Sequence, residues 1–327
     1  MTFESPRERL LEILSWGRPH DSECERRFCK EFLDSVPGMQ RDRFGNRYMR
    51  LGDKPTVMWS CHVDTVCHQN LAGPQLLAFD PSTGIVQLAH ATKKTSLGAD
   101  DGVGVWIMLE MIRAQRPGLY AFHRGEEVGC LGSCHIRKHE PQLLEGIEAA
   151  IAFDRAGHSD VITHQSFGRT CSDEFARSLA SQLNQLDGTF SYRPDNTGVY
   201  TDTNEYADIV PECTNLSVGY HGQHGPGETL DVYHAEALLY AMLDLDTDTL
   251  VITRDPNVRE FDDYPTRSRS WRDDLDTPFD EMLEVIREFP EAAASILLGK
   301  GVTADDLWNE VIDFEDEETW HPIMETH

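Results

Sequence analysis

Three apolar runs constrain this chain more than any other feature. Thr56-Val57-Met58-Trp59-Ser60-Cys61, Leu119-Tyr120-Ala121-Phe122 and Ile147 to Phe153 are almost continuous in apolar character. Such runs, without polar alternation, suit strands buried on both faces in the middle of a parallel sheet. Asn215 to Tyr220 reads as a further strand, and Arg47 to Leu51 as an alternating one. Helical stripes lie between them. Leu10, Leu11, Ile13 and Leu14 follow a Ser5-Pro6 start, and Ser22 caps a stretch to Leu33 with Phe28 and Phe32 on one face. Val103, Val105, Trp106, Leu109, Met111 and Ile112 form a buried helix, Cys130 to Arg137 a helix weakened by Gly132, Phe175 to Leu186 a helix capped by Ser172, and Ala235 to Leu243 another. This alternation predicts an α/β fold, a three-layer α/β/α sandwich around a mostly parallel mixed sheet.

The chain has 327 residues, a length that fits one large α/β domain or two smaller units. A boundary is expected in the Asp-, Arg-, Ser- and Pro-rich stretch from Arg254 to Arg272, giving a catalytic domain at 1–254 and a small helical extension at 255–327. The extension reads as three short helices, Phe279 to Phe289, Ala292 to Leu298 and Ala304 to Ile312, followed by the acidic run Glu315-Asp316-Glu317-Glu318. It carries 21 acidic against 6 basic side chains, a balance of −15 within a whole-chain charge of −28. A charge of that sign argues against nucleic acid and against an anionic membrane surface as partners. The extension is either a solvated appendage or a docking element for a neighbouring subunit or a basic partner. No apolar run reaches membrane-spanning length, the N-terminus lacks a secretory signal, and the eight cysteines are scattered. A cytoplasmic location with reduced thiols is expected. Cys130 and Cys134 read as helix-packing residues rather than ligands.

Five short clusters of nitrogen and oxygen donors fall where the strands end or in the adjoining loops. They are His62-Val63-Asp64, Asp100-Asp101, Glu126-Glu127, Asp154, and His224 with Glu228 four residues on. Open α/β sheets place their sites beyond the carboxyl ends of strands, so the five clusters are expected to meet in space. Two imidazoles and three carboxylates suit a pair of borderline-soft divalent cations, zinc first, with cobalt or manganese able to occupy the same donors. Each cluster alone is a weak signal; the ordered set is a strong one.

With these residues in view, the chain over roughly residues 8–245 resembles the co-catalytic two-zinc peptidase clan. That clan holds di-zinc aminopeptidases, peptidase T-like tripeptidases and acetylornithine deacetylase-like deacylases. The resemblance implies His62, Asp154 and one oxygen of Asp100 on one metal, and Glu127, His224 and the second Asp100 oxygen on the other. It implies a cis peptide between Asp100 and Asp101, Glu126 as the general base, and Asp64 as the carboxylate that orients His62. Two metals about 3.5–4 Å apart share and acidify a water and polarise the substrate carbonyl, while an unligated glutamate moves the proton.

Relatives with a lid or dimerisation domain insert about a hundred residues between motifs. Here 38 residues separate His62 from Asp100 and 70 separate Asp154 from His224, so the resemblance is to compact, lid-less aminopeptidases. The leading expectation is an aminopeptidase or short-peptide exopeptidase acting on peptide or amide substrates. An N-acyl amino acid deacylase or carboxypeptidase is the alternative, which a pocket arginine such as Arg155 or Arg169 would favour. A protein-binding module docking through residues 255–327 is a third. Thr201-Asp202 resembles a position near the substrate. His221 is a rim histidine or a competing ligand, and His123 and Arg124 replace the small hydroxyl residues common in relatives. His68, His158 and His164 have no partner at ligand spacing.

Overall fold

The computed structural model describes residues 5–67, 72–92, 95–165, 168–258, 286 and 290–299. The chain divides into two compact units, Met1–Tyr264 and Pro265–His327. Within the second, Pro290–Gly299 is helical, where Ala292 to Leu298 was expected to be. The expected helices at 279–289 and 304–312 and the acidic run at 315–318 lie outside the described residues, apart from Ile286.

In the first unit the strands of the main sheet are β1 Gln40–Arg41, β2 Arg47–Leu51, β3 Val57–His62, β6 Gly118–His123, β7 Ala149–Arg155, β8 Asp160–Ile162, β9 Arg193–Asp195 and β10 Glu212–Ser217; β4 Leu77–Asp80 and β5 Ile85–Leu88 belong to a smaller sheet. The main sheet has the order β9-β8-β10-β7-β3-β6-β2-β1. β10, β7, β3 and β6 run parallel in its middle, as does the outer pair β8 and β9, while β8–β10, β6–β2 and β2–β1 are antiparallel. The three apolar runs are thus the central strands, and every residue of β3 and β6 is buried.

Side chains alternate between two cores, one on each face of the sheet. Val57, Trp59 and Cys61 of β3 face the larger core with Tyr120, Phe122, Ile151 and Phe153. Met58 faces the smaller one with Leu119, Ala121, Ala150 and Cys213. The large core is closed by helices α1 Pro6–Leu14, α2 Glu23–Phe28, α3 Ala99–Arg113, α5 Asp173–Leu186 and α6 Val232–Asp244, and the small core by α4 Leu131–His139 with short 3-10 turns at Pro141–Leu144 and Asp202–Tyr206. Trp59 and Trp106 are fully buried. Truncating either to alanine removes a large apolar contact worth about 3–5 kcal/mol.

The caps follow the sequence closely. Ser5 and Glu8 make a reciprocal capping box on α1, and Ser22 and Ser172 accept the backbone N–H of Glu25 and Phe175. Three local features differ from expectation. The helix after Ser22 changes at Cys29 into a π-turn through Leu33. The strand expected over 215–220 is two: β10 ends at Ser217, Gly219 turns with φ 98°, and β11 Tyr220–His221 pairs with β12 Thr229–Asp231. Only glycine adopts that φ freely, so the chain turns out of the main sheet there. β11, β12, β5 and β4 form a second, four-stranded sheet, which the short, half-polar segments 77–88 did not announce. All eight cysteines are free thiols. Among the described residues no helix is long and apolar enough to cross a membrane.

Candidate metal centre and active site

Parallel strands end on the same edge of the sheet, so β3, β7 and β10 deliver their last side chains to one place. His62 is the final residue of β3 and Asp154 the penultimate residue of β7. Asp100 and Asp101 begin α3 with non-helical backbone, after Gly98 at φ 72°, and the peptide between them is cis. Glu126 and Glu127 follow β6. His224 sits at φ 62° in the turn between β11 and β12.

The carboxylate of Asp100 lies between the two histidines. Its Oδ1 is 3.0 Å from His62 Nε2 and its Oδ2 is 3.1 Å from His224 Nε2. Asp154 Oδ1 is 3.6 Å from the same His62 nitrogen, and Glu127 Oε2 is 3.1 Å from the same His224 nitrogen. The donors therefore fall into two sets sharing Asp100. Glu126 Oε2 stands 3.9 Å from His62 Nε2, at the edge of the cluster, and the Cys130 thiol donates to its Oε1 at 3.6 Å.

Several observations fit a bound cation pair. His62 Nδ1 donates to the carbonyl of Asp64 at 2.9 Å, which leaves Nε2 as the lone-pair nitrogen facing the Asp100 and Asp154 oxygens. Two electron-rich atoms at that distance repel unless a cation or proton lies between them. Glu127 Oε1 is buried without a hydrogen-bond partner. Burial, with the Asp100 charge next, pushes the Glu127 carboxyl up to about 7 and that of Asp154 up to about 6. Burial raises the Glu126 carboxyl well above its ordinary range. Hydrogen bonds to Asp100 and Glu127 raise His224 to about 11. Burial opposes protonation of His62, but Asp154 and Asp100 outweigh it and raise its pKa as well. Burial would raise Asp100 too, yet the two imidazoles hold it below the usual carboxylate range. Apart from that of Asp100, these shifts reflect carboxylates crowded in a dry space, a condition that divalent cations would relieve.

The surrounding residues hold this geometry. The carboxylate of Asp64, expected to orient His62, has its Oδ1 3.8 Å from His62 Nδ1, beyond hydrogen-bond distance. Instead Oδ1 accepts the N–H groups of Gly125 and Glu126 at 2.7 and 3.2 Å, and Oδ2 that of Glu127 at 3.3 Å. The backbone carbonyl orients the imidazole while the carboxylate shapes the glutamate loop. Asp101 Oδ2 accepts the His62 N–H at 3.1 Å and Oδ1 that of Gly104 at 2.9 Å. Thr201 donates to Asp154 Oδ2 at 2.7 Å and Tyr220 to its Oδ1 at 3.3 Å. Asn215 exchanges two hydrogen bonds with the Asp154 backbone. Glu228 accepts the N–H groups of Gly98 and Asp100 at 2.9 and 3.0 Å. The functions of Glu228, Asn215 and Tyr220 were not read from sequence; the four-residue step from His224 to Glu228 was the one visible signal.

Other candidates lie elsewhere. His221 turns its Nε2 to His158 Nδ1, 3.2 Å away. His123 is fully buried, bonded through Nε2 to the Tyr206 hydroxyl at 2.8 Å, with Nδ1 3.2 Å from Asp202. Arg124 is held by both oxygens of Glu25. Neither is bonded to the His62–Asp100–His224 donor cluster. Arg155 donates to Asp160 and Thr197, and Arg169 to Asp173. His164 is buried in the edge pairing of His164–Gln165, and His68 lies outside the described residues.

The comparisons agree with the fold. A tripeptidase from Staphylococcus aureus superposes with a TM-score of 0.57 at 14% identity, covering 73% of this chain and 96% of its own. The aminopeptidase PepT from Bacillus cereus gives 0.54 at 14%, covering 73% and 97%. The TET1 peptidase of Pyrococcus horikoshii, which can assemble into a tetrahedron or a large octahedral shell, gives 0.53 at 16%, covering 73% and 98%. No curated relative matches the chain in sequence. The family model described as Peptidase family M28 matches residues 46–211, half of the chain, a span that runs through β3, the Asp100 turn, the glutamate pair and Asp154, and the chain belongs to that peptidase family.

Proposed function

We propose that the chain is an aminopeptidase, cleaving peptide bonds next to a free N-terminus, with His62, Asp100, Glu127, Asp154 and His224 holding two divalent cations, zinc first. One observation carries this reading: the Asp100 carboxylate lies within 3.0 and 3.1 Å of two imidazoles that each have a second carboxylate beside them. Bound there, the two cations would supply Lewis acidity and lower the pKa of water. Glu126, which stands beside the donors at 3.9 Å from His62 Nε2, then takes the proton of the attacking water and returns it to the leaving amine. Asp64 keeps Glu126 and Glu127 pointing in different directions by binding their consecutive backbone N–H groups.

The partners of the candidate arginines weigh against a carboxylate-bearing substrate. Among the described residues the arginines considered for a substrate carboxylate, Arg155 and Arg169, are committed to Asp160 and Asp173. Aminopeptidase and tripeptidase neighbours share the fold. The eight free thiols support a cytosolic place of action. Self-association is part of the reading, and sedimentation analysis with and without residues 255–327 tests it.

The deciding experiment incubates the zinc-loaded chain and its Glu126→Ala variant with peptides bearing free or acetylated N-termini, read by mass spectrometry. Stepwise N-terminal trimming of free peptides alone, lost in the variant, is the expected result. Release of acyl groups or C-terminal residues would replace the reading with a deacylase or carboxypeptidase. Unchanged hydrolysis by Glu126→Ala would remove Glu126 as the base.

A further inference from the structure

On the small-core side, the second half of α4 with its C-cap and the turn between β1 and β2 bring together a second set of ligand-type side chains. Asp42, His135 and Glu140 each offer one donor atom, and these atoms lie within 4.8 Å of one another. His135 Nε2 is 3.9 Å from Glu140 Oε1. That nitrogen is shut off from solvent and has no hydrogen-bond partner, an expensive condition for an imidazole.

The ring has little freedom to find a partner elsewhere. It stacks on Phe44 with centroids 5.6 Å apart and lies against the His139 ring at 4.8 Å. Asp42 is equally fixed. Its Oδ1 accepts the N–H groups of Gly45 and Asn46 at 2.6 and 2.9 Å, and its Oδ2 accepts Asn46 Nδ2 at 2.5 Å. Carboxylate oxygens carry further lone-pair sites beyond those bonds. The separation of 3.9 Å is too long for a protonated imidazole bonded to Glu140. It is close to the spacing of donors that share one ion with bonds of about 2.0–2.2 Å.

We propose that Asp42, His135 and Glu140 form a further divalent-metal site, taking zinc or a cation of similar ligand preference, with water in the remaining position. The donor set, one imidazole and two carboxylates, is chemically of the zinc type. Its role is positional. Asp42 orients Asn46, whose Oδ1 accepts the Arg124 N–H at 3.0 Å and whose Nδ2 donates to the Gly132 carbonyl at 3.0 Å. Arg124 immediately precedes the loop that carries Glu126 and Glu127. An ion here ties the end of α4 to the backbone behind that loop, away from the reacting atoms.

The test counts metal. The full chain and its His135→Gln and Glu140→Gln variants are dialysed against zinc and analysed for bound metal and protein. Each variant is expected to hold about one ion per chain fewer than the wild type, or to bind that ion at least about 10–100-fold more weakly. Hydrolysis of peptides under saturating zinc should persist in both. Equal stoichiometry and affinity in all three chains overturns the site, whether the extra zinc is absent or sits on an unrelated surface histidine. Circular dichroism checks folding; if His135→Gln misfolds, Glu140→Gln at the helix end decides alone. The difference between wild type and variant is read independently of how many ions the Asp100 cluster holds.

Discussion

Glu228 accepts the backbone N–H of Asp100 at 3.0 Å while Asp100 spans His62 and His224. The same carboxylate takes the Gly98 N–H at 2.9 Å, so one buried glutamate holds both ends of the turn that presents the shared ligand. Glu228→Ala should leave those two N–H groups unpaired and cost about 1–3 kcal/mol of stability. It should also loosen metal binding by about 10–100-fold. Denaturant melts with zinc titrations of the same samples check both; unchanged affinity would mean that the turn holds its shape without Glu228.

Asp64→Asn separates the two jobs of that residue. The backbone carbonyl that orients His62 is retained, but an amide replaces the carboxylate that accepts three N–H groups from residues 125–127. The glutamate loop should shift and kcat should fall by about tenfold or more, with one of the two ions, the one facing Glu127, lost first. Equal weakening of both ions in a metal titration would point back to the imidazole.

Removal of metal should both inactivate and destabilise the chain. Four carboxylates, from Asp100, Glu126, Glu127 and Asp154, then crowd two imidazoles with no cation between them. A ligand at about 100 times its Kd stabilises the folded state by about 2.7 kcal/mol, so chelation should lower Tm by several degrees and zinc should restore it. Scanning calorimetry before and after chelation tests this. An unchanged Tm would show that the ions add nothing to folding.

His234 gives the fold an acid-sensitive point away from the metal cluster. Burial, with the neighbouring His158 next, lowers its pKa to about 4, and its Nε2 lies 3.0 Å from the Tyr192 hydroxyl. The unfolded chain binds this proton near pH 6.5 and the folded chain only near 4. Stability is therefore full above about 6.5 and falls as the pH drops toward 4, by about 3 kcal/mol at most. His234→Gln should flatten that part of the stability profile. Urea melts between pH 7 and 4 measure it, and parallel profiles for the two proteins would assign the acid sensitivity elsewhere.

Much of this molecule was legible because its strongest signals are local. Short, continuous apolar runs bounded by turn residues suit the central strands of a sheet covered on both faces, and in such a sheet the ends of parallel strands share an edge. The placing of His62, Asp154 and the glutamate pair at one edge follows from those strand ends, and the caps at Ser5, Ser22 and Ser172 follow from the local helix-start sequence. What the tertiary structure decided depends on atoms brought together from distant segments. Asp64 faces its carboxylate to the 125–127 backbone because that loop's N–H groups converge there. Glu228 reaches Gly98 and Asp100 across 130 and 128 residues. The β4–β5 hairpin joins β12 and β11 in a second sheet through pairings between short, half-polar segments, whose pattern alone does not select a partner. Residue type and order carry the donors; which oxygen meets which nitrogen is set by packing.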